Sequence, residues 1–199
     1  AGDGWAGVCV GAFVGSHDGW SDPAAELPDG TYALARWDAD VVELASDICG
    51  SRILWYVLTD DVFLASTSQR ALVMLLGDHQ PEPAAVAWML TSASLGAEVS
   101  WDARVRRVPP DARVTLDRGA WRLAVRQQPA TFAPSGEGEA VQLQALRGAL
   151  AEACAALDID SEGWVLPLSG GGGSRVLLAR PLINIYERTR RLSSSYAGL

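Results

Sequence analysis

The residues best suited to chemistry lie in the stretch "LPLSGGGGSRVLLA", Leu166 to Ala179. Four consecutive glycines, Gly170 to Gly173, stand between Ser169 and Ser174. Taken alone, such a run is a flexible linker, a loop that cradles phosphate, or the damaged remains of one. Its flanks favour the second reading. The preceding "GWVLPLS" is a short apolar run suited to a buried parallel strand, and the following "SRVLLA" begins a helix. A glycine turn between strand and helix points backbone N–H groups into the space beyond the strand's C-terminal end, where the helix dipole adds positive potential. A free linker needs neither flank. For single residues a blander role stays open at this point: core strand for Leu166 and Leu168, loop and N-cap for Ser169 and Ser174.

Other chemistry-bearing residues are sparse. Cys9, Cys49 and Cys154 are far apart and lack CxxC spacing, so buried reduced thiols are expected rather than a disulfide framework or a zinc site. His17 and His79 have no Cys, Asp or Glu partners at ligand spacing, so neither a metal site nor a His-based nucleophile system is expected. Arg188, Arg190 and Arg191 read first as a solvated helix face and second as partners for a phosphate or a substrate carboxylate. A net charge of −8 argues against nucleic acid or an anionic membrane as partner, which leaves small molecules and proteins. No apolar run approaches the ~18 residues of a membrane span and no signal peptide is evident, so a cytoplasmic protein is expected.

These residues need elements to hold them. A chain of 199 residues, 49% hydrophobic, can bury one good core and part of a second. From Thr31 to about Ala65 the signals are strands: "TYALARW" alternates, "VVELA" follows the turn-like "DAD", and "RILWYVL" and "VFLAS" flank the turn "TDD", which predicts a meander of β-hairpins. "SQRALVMLLG" and "AAVAWMLTSAS" predict two short helices, with Ser68 as N-cap, Gly77 as stop and Pro83 near the second start. "ARVTLD" and "AWRLAV" around "RG" predict a further hairpin. Residues 127–139, "QQPATFAPSGEGE", have no periodicity and read as a linker between a first domain, 1–126, and a second, 140–199. Beyond it, Leu143, Leu146, Leu150, Cys154 and Leu157 recur at helical steps, the stripe of an amphipathic helix. Helix, strand, glycine loop and helix make an α/β unit. The eight tryptophans are expected as core and rim anchors.

At this point the residues carry a resemblance. "LPLSGG" followed by "SRVLLA" is similar to the pyrophosphatase (PP) loop, SGGxDS, of the asparagine synthetase family of ATP-dependent amide-forming enzymes. "DGTYALARWD", "RILWYVLTDDVFLASTSQRAL" and "RVRRVPPDARVTLD" resemble that family's GDFALALWD segment, its strand pair ending in FASExKAL and its VxRLPPGHxLxLD, in the same order. The family also includes β-lactam synthetases and lasso-peptide cyclases. The resemblance implies an N-terminal αββα sandwich, the Ntn-hydrolase-like glutaminase fold, followed by part of an α/β PP-loop synthetase domain. It implies ATP and Mg2+ as cofactors and a carboxylate-bearing small molecule or peptide as substrate, activated as an acyl-adenylate before attack by nitrogen. A homodimer or a partner biosynthetic protein fits the same scheme. Leu166 and Leu168 would offer backbone groups to adenine, while Ser169, Gly170, Gly171, Gly173, Ser174 and Arg175 would line the pyrophosphate site. No catalytic residue is assigned.

The chain departs from the family at three points. Gly173 stands where the family has Asp, so a carboxylate that helps organise magnesium and pyrophosphate is missing. Glutamine hydrolysis in the family needs an N-terminal cysteine; the sequence starts at Ala1, Cys9 lies within "GVCVGAF", and nothing resembles the glutamine-binding NGEIYN, so no ammonia production from glutamine is expected. The family also carries more residues between Ser16 and His17 and around Arg180 and Pro181, so the chain reads as abridged. The expected function is an amide ligase without glutaminase activity; the alternative is an inactive homologue acting as a binding or scaffold module.

Overall fold

A computed structural model of the chain describes residues 4–96, 99–128 and 131–156, together with Gly173. The chain divides into two compact units, Ala1–Ala156 and Leu157–Leu199. Among the described residues all named elements lie in the first. In chain order they are β1 (Ala6–Val14), β2 (Asp29–Trp37), β3 (Val41–Ser46), β4 (Trp55–Leu58), β5 (Phe63–Ser66), α1 (Gln69–Leu76), α2 (Pro83–Ser92), β6 (Arg106–Arg107), β7 (Ala112–Asp117), β8 (Arg122–Gln127) and α3 (Glu139–Ala155). The fold is mixed α+β with antiparallel sheets.

Local chemistry sets the turns. The Asp38 carboxylate accepts the N–H groups of Asp40 and Val41 at 2.8 and 2.7 Å, closing the β2–β3 hairpin at "DAD". Thr59 does the same for β4–β5, its hydroxyl oxygen accepting from the Val62 N–H at 3.0 Å. Helix α1 begins at Ser68, whose side chain accepts from the Ala71 N–H, and stops at Gly77, which takes the left-handed conformation at φ 82° that favours glycine. Glu82 caps α2, with Pro83 at its start.

The predicted meander is two separate hairpins. Strand β3 pairs not with β4 but with β7, giving a five-stranded sheet in the order β1-β2-β3-β7-β8, while β4 sits between β5 and β6 in a second sheet. Alternation specifies which face a strand buries, not which strand lies beside it. The switch between sheets follows β3, where Asp47 holds the turn: its carboxylate accepts from the backbone of Cys49 and Ser51 and from the Ser51 hydroxyl. Strand β1 adds an element that the strand signals starting at Thr31 did not include.

The two sheets share a core of Ala33, Leu44, Leu54, Tyr56, Val108, Ala112 and Val114, drawn from both. On the far side of the smaller sheet, Trp55 packs with Leu72 of α1, Val105 and Leu64. The opposite face of the five-stranded sheet, carrying Tyr32, Leu34 and Ala45, is covered by Trp20 and Leu27 from the irregular segment 15–28 rather than by a helix. Order across the unit is therefore segment, sheet, sheet, helix.

Several burial expectations change. Cys49 is exposed and Cys9 and Cys154 only partly covered, so the buried-thiol reading is corrected; Cys49 sits on the Asp47 turn, where the backbone rather than the thiol is held. Of the described tryptophans only Trp55 is in the core, and Trp37, Trp88 and Trp101 lie open. Helix α3 forms as the periodicity predicts, yet none of its residues is buried and Leu143, Leu146 and Leu150 are exposed. It follows residues 128–138, which form no described helix or strand.

Candidate functional site

The expected phosphate loop lies almost wholly outside the described residues. Leu166, Leu168, Ser169, Gly170, Gly171, Ser174 and Arg175 fall there, as do Trp164 and the arginines 188, 190 and 191. Gly173 is described: its backbone is helical, it is exposed, and a Cβ added to it meets nothing within 4 Å. Among the described residues nothing obstructs a side chain at this position.

Cys9 stands in the middle of β1, opposite Leu34, its side chain packed with the Tyr32, Leu34 and Ala45 cluster. Burial raises its thiol pKa above the ordinary value. Nucleophilic attack needs thiolate, so this environment holds Cys9 in its unreactive form. The His17 Nδ1–H donates to the Gly15 carbonyl at 3.0 Å, and its ring packs on Phe13. Among the described residues no group of three His, Cys, Asp or Glu could hold a metal ion.

Two adjoining cavities, of about 260 and 250 Å3, share Leu27, Pro28 and Asp29 at one end of the five-stranded sheet. The first is also lined by Asp18 and Glu26, the second by Asp47 and Asp111. Their walls carry carboxylates and no Lys or Arg, a potential that repels nucleotide phosphate. Between them the Tyr32 hydroxyl donates to the Pro28 carbonyl at 2.9 Å. Burial, reinforced by the Asp47 charge, pushes the Tyr32 pKa up to about 12, so the phenol stays protonated and serves as a brace rather than as a base.

Three polar networks hold this unit, and sequence reading assigned none of them. Arg36, fully buried, pairs with Glu43 at 2.7 Å and donates to the carbonyls of Trp20 and Ala25 at 2.9 and 2.7 Å, fastening segment 15–28 over the sheet. Arg113 reaches the second Glu43 oxygen at 3.5 Å. Asp47 accepts from the Tyr32 N–H at 2.9 Å in addition to its turn contacts. Asp102, also fully buried, accepts from the Gln80 N–H at 2.9 Å, the Arg104 N–H at 3.0 Å and the Arg104 guanidinium at 2.9 Å. Arg36 and Glu43 carry a visible signal: each is a charge at an inward position of an alternating strand, where it must be paired. Asp102 carries none: its Arg104 partner is only two residues on, but its burial depends on the contact with Gln80, 22 positions away.

These carboxylates make stability pH-dependent. Burial raises the Asp47 carboxyl, but the Ser51 hydroxyl and the backbone N–H groups of Ser51, Tyr32 and Cys49 outweigh it and hold the pKa below the ordinary value. Hydrogen bonds from Arg104 hold Asp102 well below the carboxylate range. With both folded-state values depressed, the unfolded chain binds more protons in the acid range, so their stabilisation is present above about pH 4 and is lost as pH falls below it. Urea midpoints measured from pH 7 to 3 should fall steeply below about pH 4, and Asp102→Asn should flatten that fall; an unchanged midpoint across the range would contradict this assignment.

In comparison with known proteins, the chain matches no family model and no curated protein. No described helix is long and apolar enough to cross a membrane.

Proposed function

We propose that the chain is an ATP-dependent amide ligase of the asparagine synthetase type that does not hydrolyse glutamine, with a first unit of the Ntn-hydrolase-like sandwich kind. One observation supports this most. The three segments that resemble the family are far apart in sequence, yet Ala33 from the first, Leu54 and Tyr56 at the second, and Val108, Ala112 and Val114 from the third meet in one core between the two sheets. Residues that share a close-packed core constrain one another's size and shape, so the three segments act as one structural unit. The protonated, mid-strand Cys9 supports the absence of glutaminase chemistry.

In this reaction an oxygen of the substrate carboxylate attacks the α-phosphorus of ATP, the α–β bridging bond breaks and pyrophosphate leaves. The amine nitrogen then attacks the activated carbonyl carbon, loses its proton to the medium and expels AMP. Magnesium, when bound, neutralises phosphate charge. Ser169, Gly170, Gly171, Ser174 and Arg175 would hold the pyrophosphate, and Leu166 and Leu168 the adenine. Gly173 supplies backbone only. No described residue obstructs the aspartate that the family carries at this position.

Titration calorimetry with Mg·ATP tests the reading. The native chain should bind, and Gly173→Asp should bind tighter by about 1–3 kcal/mol, roughly five- to 150-fold, because one charge-assisted contact is restored. Exchange of pyrophosphate into ATP in the presence of an acceptable acid separates the ligase from a scaffold that binds without chemistry. No Mg·ATP binding by either form would mean that the four glycines are only a tether or a remnant.

A further inference from the structure

Each of the two sheets has two edges, and three of the four edges are blunted. Strand β8 carries Arg122 and Arg126 on its exposed length, β5 has four residues and β6 only two. Such charges and short lengths keep one sheet edge from pairing with another. Strand β1 has neither protection. It runs nine residues, "AGVCVGAFV", without a charge or a proline, and its outer edge pairs with no described strand. Val8 and Val10 are 55% and 46% exposed. Both lie opposite alanines of the core-facing side of β2, Val8 opposite Ala35 and Val10 opposite Ala33, so they point to the inner face of the five-stranded sheet beyond the reach of the three-stranded one.

We propose that β1 is a docking edge for a second copy of this chain, the two β1 strands pairing antiparallel about a two-fold axis at Val10. The strand suits its own copy. With the axis at Val10, Val10 faces Val10, Val8 faces Ala12 and Ala6 faces Val14, so apolar side chains meet on one face and the nine-residue ladder is used along its whole length. Charge decides between the edges: β1 against β1 brings no charges together, whereas β8 against β8 would set arginines beside arginines. Because β1 is then consumed and β8 stays blunted, association closes at two copies instead of running on as a filament.

Sedimentation velocity across a concentration series tests the proposal. The full chain should pass from monomer to dimer with rising concentration and show no larger species. Val10→Lys should raise the dimer dissociation constant about tenfold or more, since two like charges then meet on the axis. Val125→Lys, on the other edge strand at a residue 50% exposed, should leave it unchanged. Circular dichroism checks that both variants keep the native fold, and amide exchange in the native chain should slow along β1 as concentration rises. A chain that is monomeric throughout, a dimer indifferent to Val10→Lys, or β1 amides that exchange equally fast at all concentrations would each overturn the proposal.

Discussion

Arg36→Ala is expected to lower the stability of the first unit by about 3–5 kcal/mol, the range for removing one member of a buried ion pair. The guanidinium has no exposed surface and satisfies four acceptors at once: Glu43 and the carbonyls of Trp20, Ala25 and, at 3.5 Å, Pro23. Truncation leaves Glu43 charged beneath segment 15–28, with only the longer contact to Arg113. The same segment supplies Trp20 and Leu27 to the cluster on that face, so loosening it also uncovers Tyr32 and Leu34. Urea unfolding followed by tryptophan fluorescence measures the loss. The double variant Arg36→Met with Glu43→Leu should recover part of it, because no charge is then left buried, though the carbonyls of Trp20 and Ala25 stay without a donor. A loss under about 1 kcal/mol for Arg36→Ala would mean that the segment is held by its apolar contacts alone.

Asp102→Ala should cost about 2–3 kcal/mol. The range is lower because Arg104, its charged partner, is about a quarter exposed and can turn to water, keeping its contact with Asp78 at 2.7 Å. What cannot be recovered is the backbone: the N–H groups of Gln80 and Arg104 lose a buried acceptor. These contacts tie the chain between α1 and α2 to the chain before β6, where Pro81 bridges to Asp102. Asp102→Asn keeps the shape and one acceptor oxygen, so it should cost less than Asp102→Ala. Equal losses for the two would place the whole effect in the charge.

Much of the local structure was open to sequence reading because it rests on short-range chemistry. Ser68, Gly77 and Pro83 punctuate α1 and α2 where their backbone preferences require. Strands β2, β3, β4, β5, β7 and β8 follow from alternating or apolar runs bounded by turn signals, with Asp38 and Thr59 closing two of the hairpins. The helical period of α3 likewise predicts a helix, although the burial that normally accompanies such a stripe is absent from it. Strand β1 escaped because its two glycines and mixed small residues weaken the alternation, and its place in the sheet comes from pairing with β2.

By itself the sequence determined where turns, caps and strands fall and which residues resemble a phosphate loop, since each depends on neighbours a few positions away. Only the tertiary structure decided that β3 joins β7 rather than β4, because hydrogen bonding between strands is indifferent to separation along the chain and is settled by which apolar faces can be buried together. It likewise decided that Cys49 and most tryptophans lie outside the core, and that Arg36 is buried beneath an irregular segment. Burial depends on what the rest of the chain places over a residue, and that covering, here Trp20, Ala25 and Leu27 folded back across the sheet, comes from the next stretch of chain after β1, brought there by contacts that no local pattern encodes.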